Sequence, residues 1–181
     1  MAALKKISAE HILSLCALIT AVIAVWVAVA EQQANREYQR LSVEPYLELS
    51  NTNRNGYERV LTNTGLGPAR IQSVKVTFKD KPALSWLEIT NEIIEKSGEK
   101  EPIGSITYSS LWRGRQIQAG ESTSLLHVKD RKFINLLQKS IPKANMEICY
   151  CSMYKDCWIK ENSKVPKQVE QCEMNAPDFF G

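Results

Sequence analysis

The side chains best suited to chemistry in this sequence are four cysteines in its C-terminal third: Cys149, Cys151, Cys157 and Cys172. Clustered thiols can form disulfides, hold a metal ion or exchange electrons. A structural zinc site usually has two Cys-x-x-Cys pairs, whereas one, five and fourteen residues separate these cysteines. A redox thiol is typical of Cys-x-x-Cys at the start of a helix, and Cys-x-Cys within a strand lacks that environment. Disulfides are favoured, with metal binding and redox chemistry as the alternatives.

The stretch MEICYCSMYKDCWIK, residues 146–160, predicts how these cysteines pair. Its YKD segment is a short turn at the centre of a symmetrical hairpin, which puts Cys151 opposite Cys157 at a separation that a disulfide can span. Cys149 shares a strand face with Cys151 because the two are two residues apart, and it would join Cys172 in the C-terminal tail. Four cysteines allow three pairings, so Cys149 with Cys157 remains an alternative.

Other signatures of catalysis do not occur in the sequence. The two histidines, His11 and His127, form no His-x-x-x-His pair, and no Gly-x-Ser-x-Gly elbow is found. No Gly-Lys-Ser/Thr follows the glycines of residues 65–67, which favours a turn over a phosphate loop. We therefore expect no enzyme, no catalytic residue, no cofactor and no metal, and no small-molecule substrate is evident.

The charge pattern indicates whether nucleic acid is a binding partner. The net charge is +3, and the basic residues are scattered among nearly as many acidic ones. A protein that binds nucleic acid would concentrate its basic residues in a patch or stripe. We expect no nucleic-acid partner.

One segment carries side chains typical of a protein contact surface. In YSSLWRGRQI, Trp112 stands beside Arg113 and Arg115, around Gly114. Tryptophan and arginine are enriched among the residues that dominate the binding energy of interfaces. We expect a contact patch if the three side chains are exposed; the alternative is a half-buried tryptophan with solvated arginines.

The elements that position these residues begin with an apolar segment near the N-terminus. Residues 12–30 read ILSLCALITAVIAVWVAVA and include no charged side chain. As a helix they would extend roughly 28 Å, close to the ~30 Å hydrocarbon core of a bilayer. We expect a retained transmembrane helix. A cleaved secretory signal is the alternative, because Ala28-Val29-Ala30 is an acceptable cleavage site.

The flanks of this segment set the predicted domain organisation. Two basic residues lie on each side of it, Lys5 and Lys6 before and Arg36 and Arg40 after. The positive-inside rule therefore gives almost no preference for either orientation, and the positive charge of the N-terminal amine slightly favours a cytoplasmic N-terminus. Helix-forming residues follow the span until Pro45 forbids the helix to continue. The predicted parts are a cytoplasmic N-terminus (1–11), a transmembrane helix (12–30), a helical stalk (31–42) and an exported domain (43–181).

In most of the exported domain, apolar and polar residues alternate as they do in β-strands. VEPYLELS and YERVLTN flank a turn-rich NTNRNG and predict a hairpin. Three further segments alternate in the same way: residues 69–78, 122–128 and 145–153. Residues 83–100 and 130–142 have helical spacing instead, with Ser97-Gly98 as the stop of the first helix and Asp130 as the N-cap of the second.

Two short motifs resemble bacterial immunoglobulin-like domains of the cell-adhesion-related type. They are LTNTGLGPARIQSV, residues 61–74, and IQAGESTSLL, residues 117–126. In the first, Gly65 and Gly67 can take positive φ in a tight corner between strands, and Pro68 fixes the exit. The resemblance implies an immunoglobulin-like β-sandwich and a bacterial source. It supports the fold more than any function, because such sandwiches serve many roles.

Together these features predict a mainly β chain, with an N-terminal single transmembrane helix followed by an immunoglobulin-like β-sandwich that carries two short helical inserts. The expected location is the cell inner membrane, single-pass, with the C-terminal domain in the periplasm, where the cysteines would oxidise. The expected function is a non-catalytic accessory or scaffold subunit that binds an envelope protein complex, with the lipid bilayer and other envelope proteins as partners. The alternative is a periplasmic thiol redox or metal-handling protein that uses the clustered cysteines.

Overall fold

The computed structural model of the chain describes residues 9–98, 105–173 and Phe179. The chain divides into two compact units, Met1–Leu41 and Ser42–Gly181. Lys5 and Lys6, on which the predicted orientation depends, lie outside the described residues.

Helix α1 (Ala9–Leu41) makes up the first unit, and none of its 33 residues is buried. Among the described helices it is the one long and apolar enough to cross a membrane, a property that an N-terminal signal sequence shares. The hydroxyl groups of Ser14 and Thr20 donate hydrogen bonds to backbone carbonyls of the same helix, so these polar side chains need no partner outside it. The helix is therefore suited to an apolar surrounding.

The second unit contains two antiparallel sheets. Its strands, in chain order, are β1 (Leu47–Thr52), β2 (Tyr57–Asn63), β3 (Ala69–Phe78), β4 (Lys81–Ala83), β5 (Ile106–Tyr108), β6 (Gln116–Ile117), β7 (Ser122–Val128), β8 (Ala144–Cys151), β9 (Cys157–Glu161) and β10 (Lys167–Val169). One sheet has the order β1-β2-β7-β5. The other has the order β10-β9-β8-β3-β4, with β6 pairing β3 beside this path.

A single buried cluster contains side chains from both sheets. The first sheet contributes residues such as Leu47 and Leu61, and the second contributes Ile71 and Tyr150, all of them with no exposed surface. The backbone N–H of Leu47 donates to the Tyr150 hydroxyl across the two sheets at 3.4 Å. Burial raises the pKa of Tyr150 to about 12, so this hydroxyl stays neutral at ordinary pH.

Two helices of the domain, α2 (Trp86–Ser97) and α3 (Arg131–Ser140), lie where helical spacing predicts them. The Ser85 side chain caps α2 by accepting from Glu88 N–H, and Asp130 caps α3 by accepting from Phe133 N–H. Gly98 ends α2 with a φ of 68°. These helix predictions are confirmed, and a 3-10 turn, Ile141–Lys143, follows α3.

The predicted strands are confirmed over most of their length, but the fold class is confirmed only in its coarser form. The chain has a long apolar helix and two antiparallel sheets, with about 34% of the described residues in strands. It is therefore mixed, because α1 alone adds 33 helical residues to those of α2 and α3. Four short strands lack alternation long enough to be recognised from the sequence (β4, β5, β6 and β10).

The corner between β2 and β3 is held by one buried asparagine. Asn63 Nδ2 donates to the carbonyls of Gly67 at 2.8 Å and Ile117 at 2.9 Å. Its Oδ1 accepts from the backbone N–H groups of Tyr46 and Gly65, both at 3.1 Å. All four hydrogen bonds of this side chain are made, and they tie the chain that enters the domain, the β2–β3 corner and β6 together.

The glycines of this corner are required for a reason other than the predicted one. Neither Gly65 nor Gly67 has a positive φ. A Cβ at Gly67 would instead lie 1.9 Å from the Val43 carbonyl oxygen, and one at Gly65 would lie 2.3 Å from Tyr46 N. The positive-φ prediction is wrong, and close approach of the backbone explains why glycine stands at both positions.

Candidate functional site

The four cysteines of the C-terminal third form two pairs in the structure. Cys151 on β8 faces Cys157 on β9 across the antiparallel register, and their sulfurs are 2.09 Å apart. Cys149 on β8 joins Cys172 in the segment after β10, with the sulfurs 2.02 Å apart. The remaining cysteine, Cys16 in α1, is exposed and without a sulfur partner.

The two cysteine pairs lie side by side. Cys151 Sγ is 3.8 Å from Cys172 Sγ, and the sulfurs of Cys151, Cys157 and Cys172 all lie within 4.8 Å of one another. In the oxidised state these sulfurs are cross-links. In a reduced state the same three would be close enough to share a metal ion or to exchange disulfide partners.

The Cys149–Cys172 pair fixes the segment that leads to the C-terminus. Beyond it, Glu173 lies 3.5 Å from Lys75 of β3, and the Phe179 N–H donates to the Val74 carbonyl at 3.0 Å. The Phe179 ring is buried and meets the ring of Trp86 edge-on, with the centroids 5.3 Å apart. Sequence reasoning missed Phe179, whose only signal is the aromatic pair Phe179 and Phe180 near the end of the sequence.

A cavity of about 660 Å³ opens beside the cysteine pairs. Strand β3 and the turn between β8 and β9 supply two basic residues to its wall, Arg70 and Lys155. Gln72, Gln116 and the exposed Met153 add polar and flexible apolar surface. The size and mixed lining are those of a site that can receive a small molecule or part of a protein partner.

The predicted contact residues lie on a loop before β6. Trp112 is 55% exposed, and the Arg115 guanidinium stacks over its ring at 5.0 Å from the centroid. Arg115 also donates to the Ser110 carbonyl at 2.9 Å and to Thr123 Oγ1 at 3.1 Å. Arg115 therefore holds the loop and the indole in position, while Trp112 supplies the exposed apolar surface.

This loop adjoins the cavity. Arg113 Nε donates to the Gln72 carbonyl at 3.1 Å, and Gly114, with a φ of 87°, donates its N–H to the Ile71 carbonyl at 2.8 Å. Gln72 thus contacts the loop and also lines the cavity. We call Trp112 and Arg113, with the neighbouring cavity residues Gln72 and Gln116, the Trp112 surface.

Comparison with known proteins gives one family. Residues 11–170 match the family described as "Domain of unknown function (DUF8453)". The match covers nearly all of α1 and every strand of the two sheets, and it ends before Cys172. No curated protein and no solved structure matches the chain significantly.

Proposed function

The chain belongs to this family, whose description assigns no function, and we propose that it is a non-catalytic accessory or scaffold subunit anchored in a bacterial inner membrane. Its α1 helix spans the bilayer once, and the domain from residue 43 onwards lies in the periplasm. There the Trp112 surface binds a protein of an envelope complex. The observation that carries the proposal is that an apolar helix without a buried residue precedes one domain with an exposed tryptophan beside a cavity.

An immunoglobulin-like β-sandwich is the fold proposed for the periplasmic domain. The shared buried cluster and the hydrogen bond from Leu47 to Tyr150 support the packing of one sheet on the other. The two motifs that resemble such domains also adjoin in space. Gly120 N–H donates to the Asn63 carbonyl at 2.8 Å, and Asn63 N–H donates to the Glu121 carbonyl at 3.0 Å. This contact supports the two motifs as parts of one corner of the domain.

Location in an oxidising compartment has a direct consequence for the mass of the protein. When the full chain is extracted from membranes without reductant, we expect an intact mass that retains residues 1–30 and lacks two hydrogens for each of two disulfides. A blocking reagent should modify no cysteine other than Cys16. Mass spectrometry before and after reduction measures both quantities. Loss of residues 1–30 would contradict the anchor, since it is the result expected of a cleaved signal.

A second candidate function follows from the proximity of the sulfurs. A thiol redox or metal-handling protein would use the three sulfurs within 4.8 Å of one another and the adjacent cavity. In that case the freshly extracted protein should contain two or more reactive thiols besides Cys16, or a bound metal. A fully oxidised protein without bound metal would remove this candidate.

Trp112 is expected to dominate the proposed protein contact. The Trp112→Ala variant should recover about thirtyfold less of the partner after cross-linking in intact membranes, because loss of a hot-spot tryptophan costs about 2 kcal/mol or more. Quantitative mass spectrometry of the cross-linked proteins gives the ratio. A recovered protein counts as a partner only if its amount rises in proportion to the amount of this protein that is recovered with it.

The matched control is Leu87→Ala, since Leu87 is a large apolar residue of α2 with 49% exposure. This variant should recover as much partner as the wild type. Arg115→Ala is a poorer test, because Arg115 positions the loop through Ser110 and Thr123. Equal recovery by the wild type and Trp112→Ala would show that the binding surface lies elsewhere.

A further inference from the structure

A buried arginine lies between the sheets, away from the cysteines. Arg59 occupies an inward position of β2 and is only 4% exposed. Its Nη2 donates to Asn162 Oδ1 at 2.8 Å, whereas Nε is enclosed and has no acceptor among the described residues. Burial lowers the pKa of Arg59 from its ordinary value, although a guanidinium remains charged at any physiological pH. The domain therefore holds a positive charge in its interior.

No carboxylate of the described residues forms an ion pair with this guanidinium. The cross-strand partners of Arg59 are Asn51 and Leu126, both uncharged. Tyr57 interacts with this guanidinium, but burial raises the pKa of its hydroxyl, which therefore stays neutral and supplies no negative charge. A buried charge is usually paired with an opposite one, because taking an unpaired ion out of water is costly. Within the part of the chain that the structure describes, Arg59 is thus a buried charge without a counter-ion.

A cavity of about 310 Å³ adjoins this charge. Its lining has a polar part, formed by Arg59, Asn51, Asn162 and Ser163, and an apolar part, formed by Leu49, Ile141, Pro142 and Ala144. Asn162 is itself fixed, since its Oδ1 also accepts from Met146 N–H and its Nδ2 donates to the Ala144 carbonyl. The fixed asparagine holds the guanidinium at the cavity wall, so one charged group and one apolar surface face the same small volume.

We propose that this cavity, which we call the Arg59 cavity, binds an organic monocarboxylate with a short carbon chain. A single guanidinium balances one negative charge, whereas the second charge of a phosphate dianion would have no partner there. The amide and hydroxyl groups of Asn51 and Ser163 supply further polar partners for the carboxylate oxygens. The apolar wall contacts the carbon chain. The site is independent of the membrane anchor and of the Trp112 surface.

Direct binding of small probes tests this assignment in the full chain, held in a non-ionic detergent. Saturation-transfer NMR should detect saturable binding of butyrate at constant ionic strength. Butyramide, which has nearly the same shape without the charge, and inorganic phosphate should each bind at least about tenfold more weakly. N-acetyl-L-valine tests the other source of the same chemistry. If it binds and butyrate does not, the carboxylate is that of a peptide chain terminus.

Variants locate the binding. Arg59→Met should weaken the binding of butyrate at least about tenfold, and it should still fold because Asn162 Oδ1 keeps its bond to Met146 N–H. Lys143→Met is the matched control: Lys143 is an exposed residue of the neighbouring cavity, so the same change there should leave binding unaltered. If Arg59→Met does not fold, the comparison of butyrate with butyramide on the wild type decides. Equal binding of these two, tighter binding of phosphate, no binding of any carboxylate probe, or unchanged binding by Arg59→Met would each overturn the proposal.

Discussion

Replacement of Asn63 by alanine is expected to lower the free energy of unfolding of the domain by about 4–6 kcal/mol. The side chain makes four hydrogen bonds to backbone groups and has no exposed surface. Removing it leaves two backbone N–H groups and two carbonyls without their partners inside the protein, at a cost of about 1–1.5 kcal/mol each. Few single substitutions of a polar residue lower the free energy of unfolding by so much.

The expected loss has a structural cause beyond the number of bonds. The backbone groups belong to Tyr46, Gly65, Gly67 and Ile117, so the asparagine joins the chain that enters the domain to the β2–β3 corner and to β6. Local repacking of one segment cannot satisfy all of them. We expect the variant to unfold at a much lower denaturant concentration, as followed by the fluorescence of the buried tryptophans.

Asn53→Ala is the matched control for this measurement. Asn53 is exposed, and its side chain accepts one hydrogen bond, from Gln138. Its replacement should change the free energy of unfolding by less than about 0.5 kcal/mol. A loss below about 2 kcal/mol for Asn63→Ala would mean that water enters and replaces most of the four bonds.

The second large effect is expected when Cys149 and Cys172 are both replaced by alanine. Their bond closes a loop of 23 residues, against 6 for Cys151 and Cys157. By the entropy of loop closure, the double replacement should cost about 3.4 kcal/mol for the first pair and about 2.2 kcal/mol for the second. Loss of the longer loop also frees the segment that carries Phe179 from its contact with Trp86.

Both cysteines of a pair must be replaced together. A single substitution would leave a free thiol beside another sulfur, as the 3.8 Å distance between Cys151 and Cys172 indicates, and the bonds could then exchange. Denaturant unfolding of the two double variants, with and without reductant, gives the comparison. Wild-type stability that does not fall on reduction would contradict the role of the bonds. So would a smaller loss for the longer loop.

Much of the fold could be predicted from the sequence where the pattern is long. The residues of β3 alternate apart from one interruption at Ser73 and Val74, and the caps at Ser85 and Asp130 follow from local hydrogen bonding alone. The strands β5 and β6 have only three and two residues, so no periodicity can reveal them. Strand β5 is positioned by pairing with β7, and β6 by pairing with β3, and both partners are distant along the chain.

The candidate sites are harder to predict, because distant segments form them. The larger cavity combines residues near Arg70, Gln116, Met153 and Gln171, and the sequence gives no sign that these segments meet. Alternation in YERVLTN does put Arg59 on the same face as Tyr57 and Leu61. A charged residue at such a position is usually assigned to the surface, so only the packing of the second sheet reveals its burial.

The bond from Cys172 to Cys149 also determines how a mechanical load would travel through the domain. A pull on the C-terminal end would pass covalently into Cys149, two residues before the end of β8, an interior strand of its sheet. Residues 150–171, which include β9 and β10, lie inside the closed loop and would be shielded from extension. The edge of the sheet could not be peeled away strand by strand from that end. Tension would instead have to shear the part of β8 from Ala144 to Cys149 away from β3.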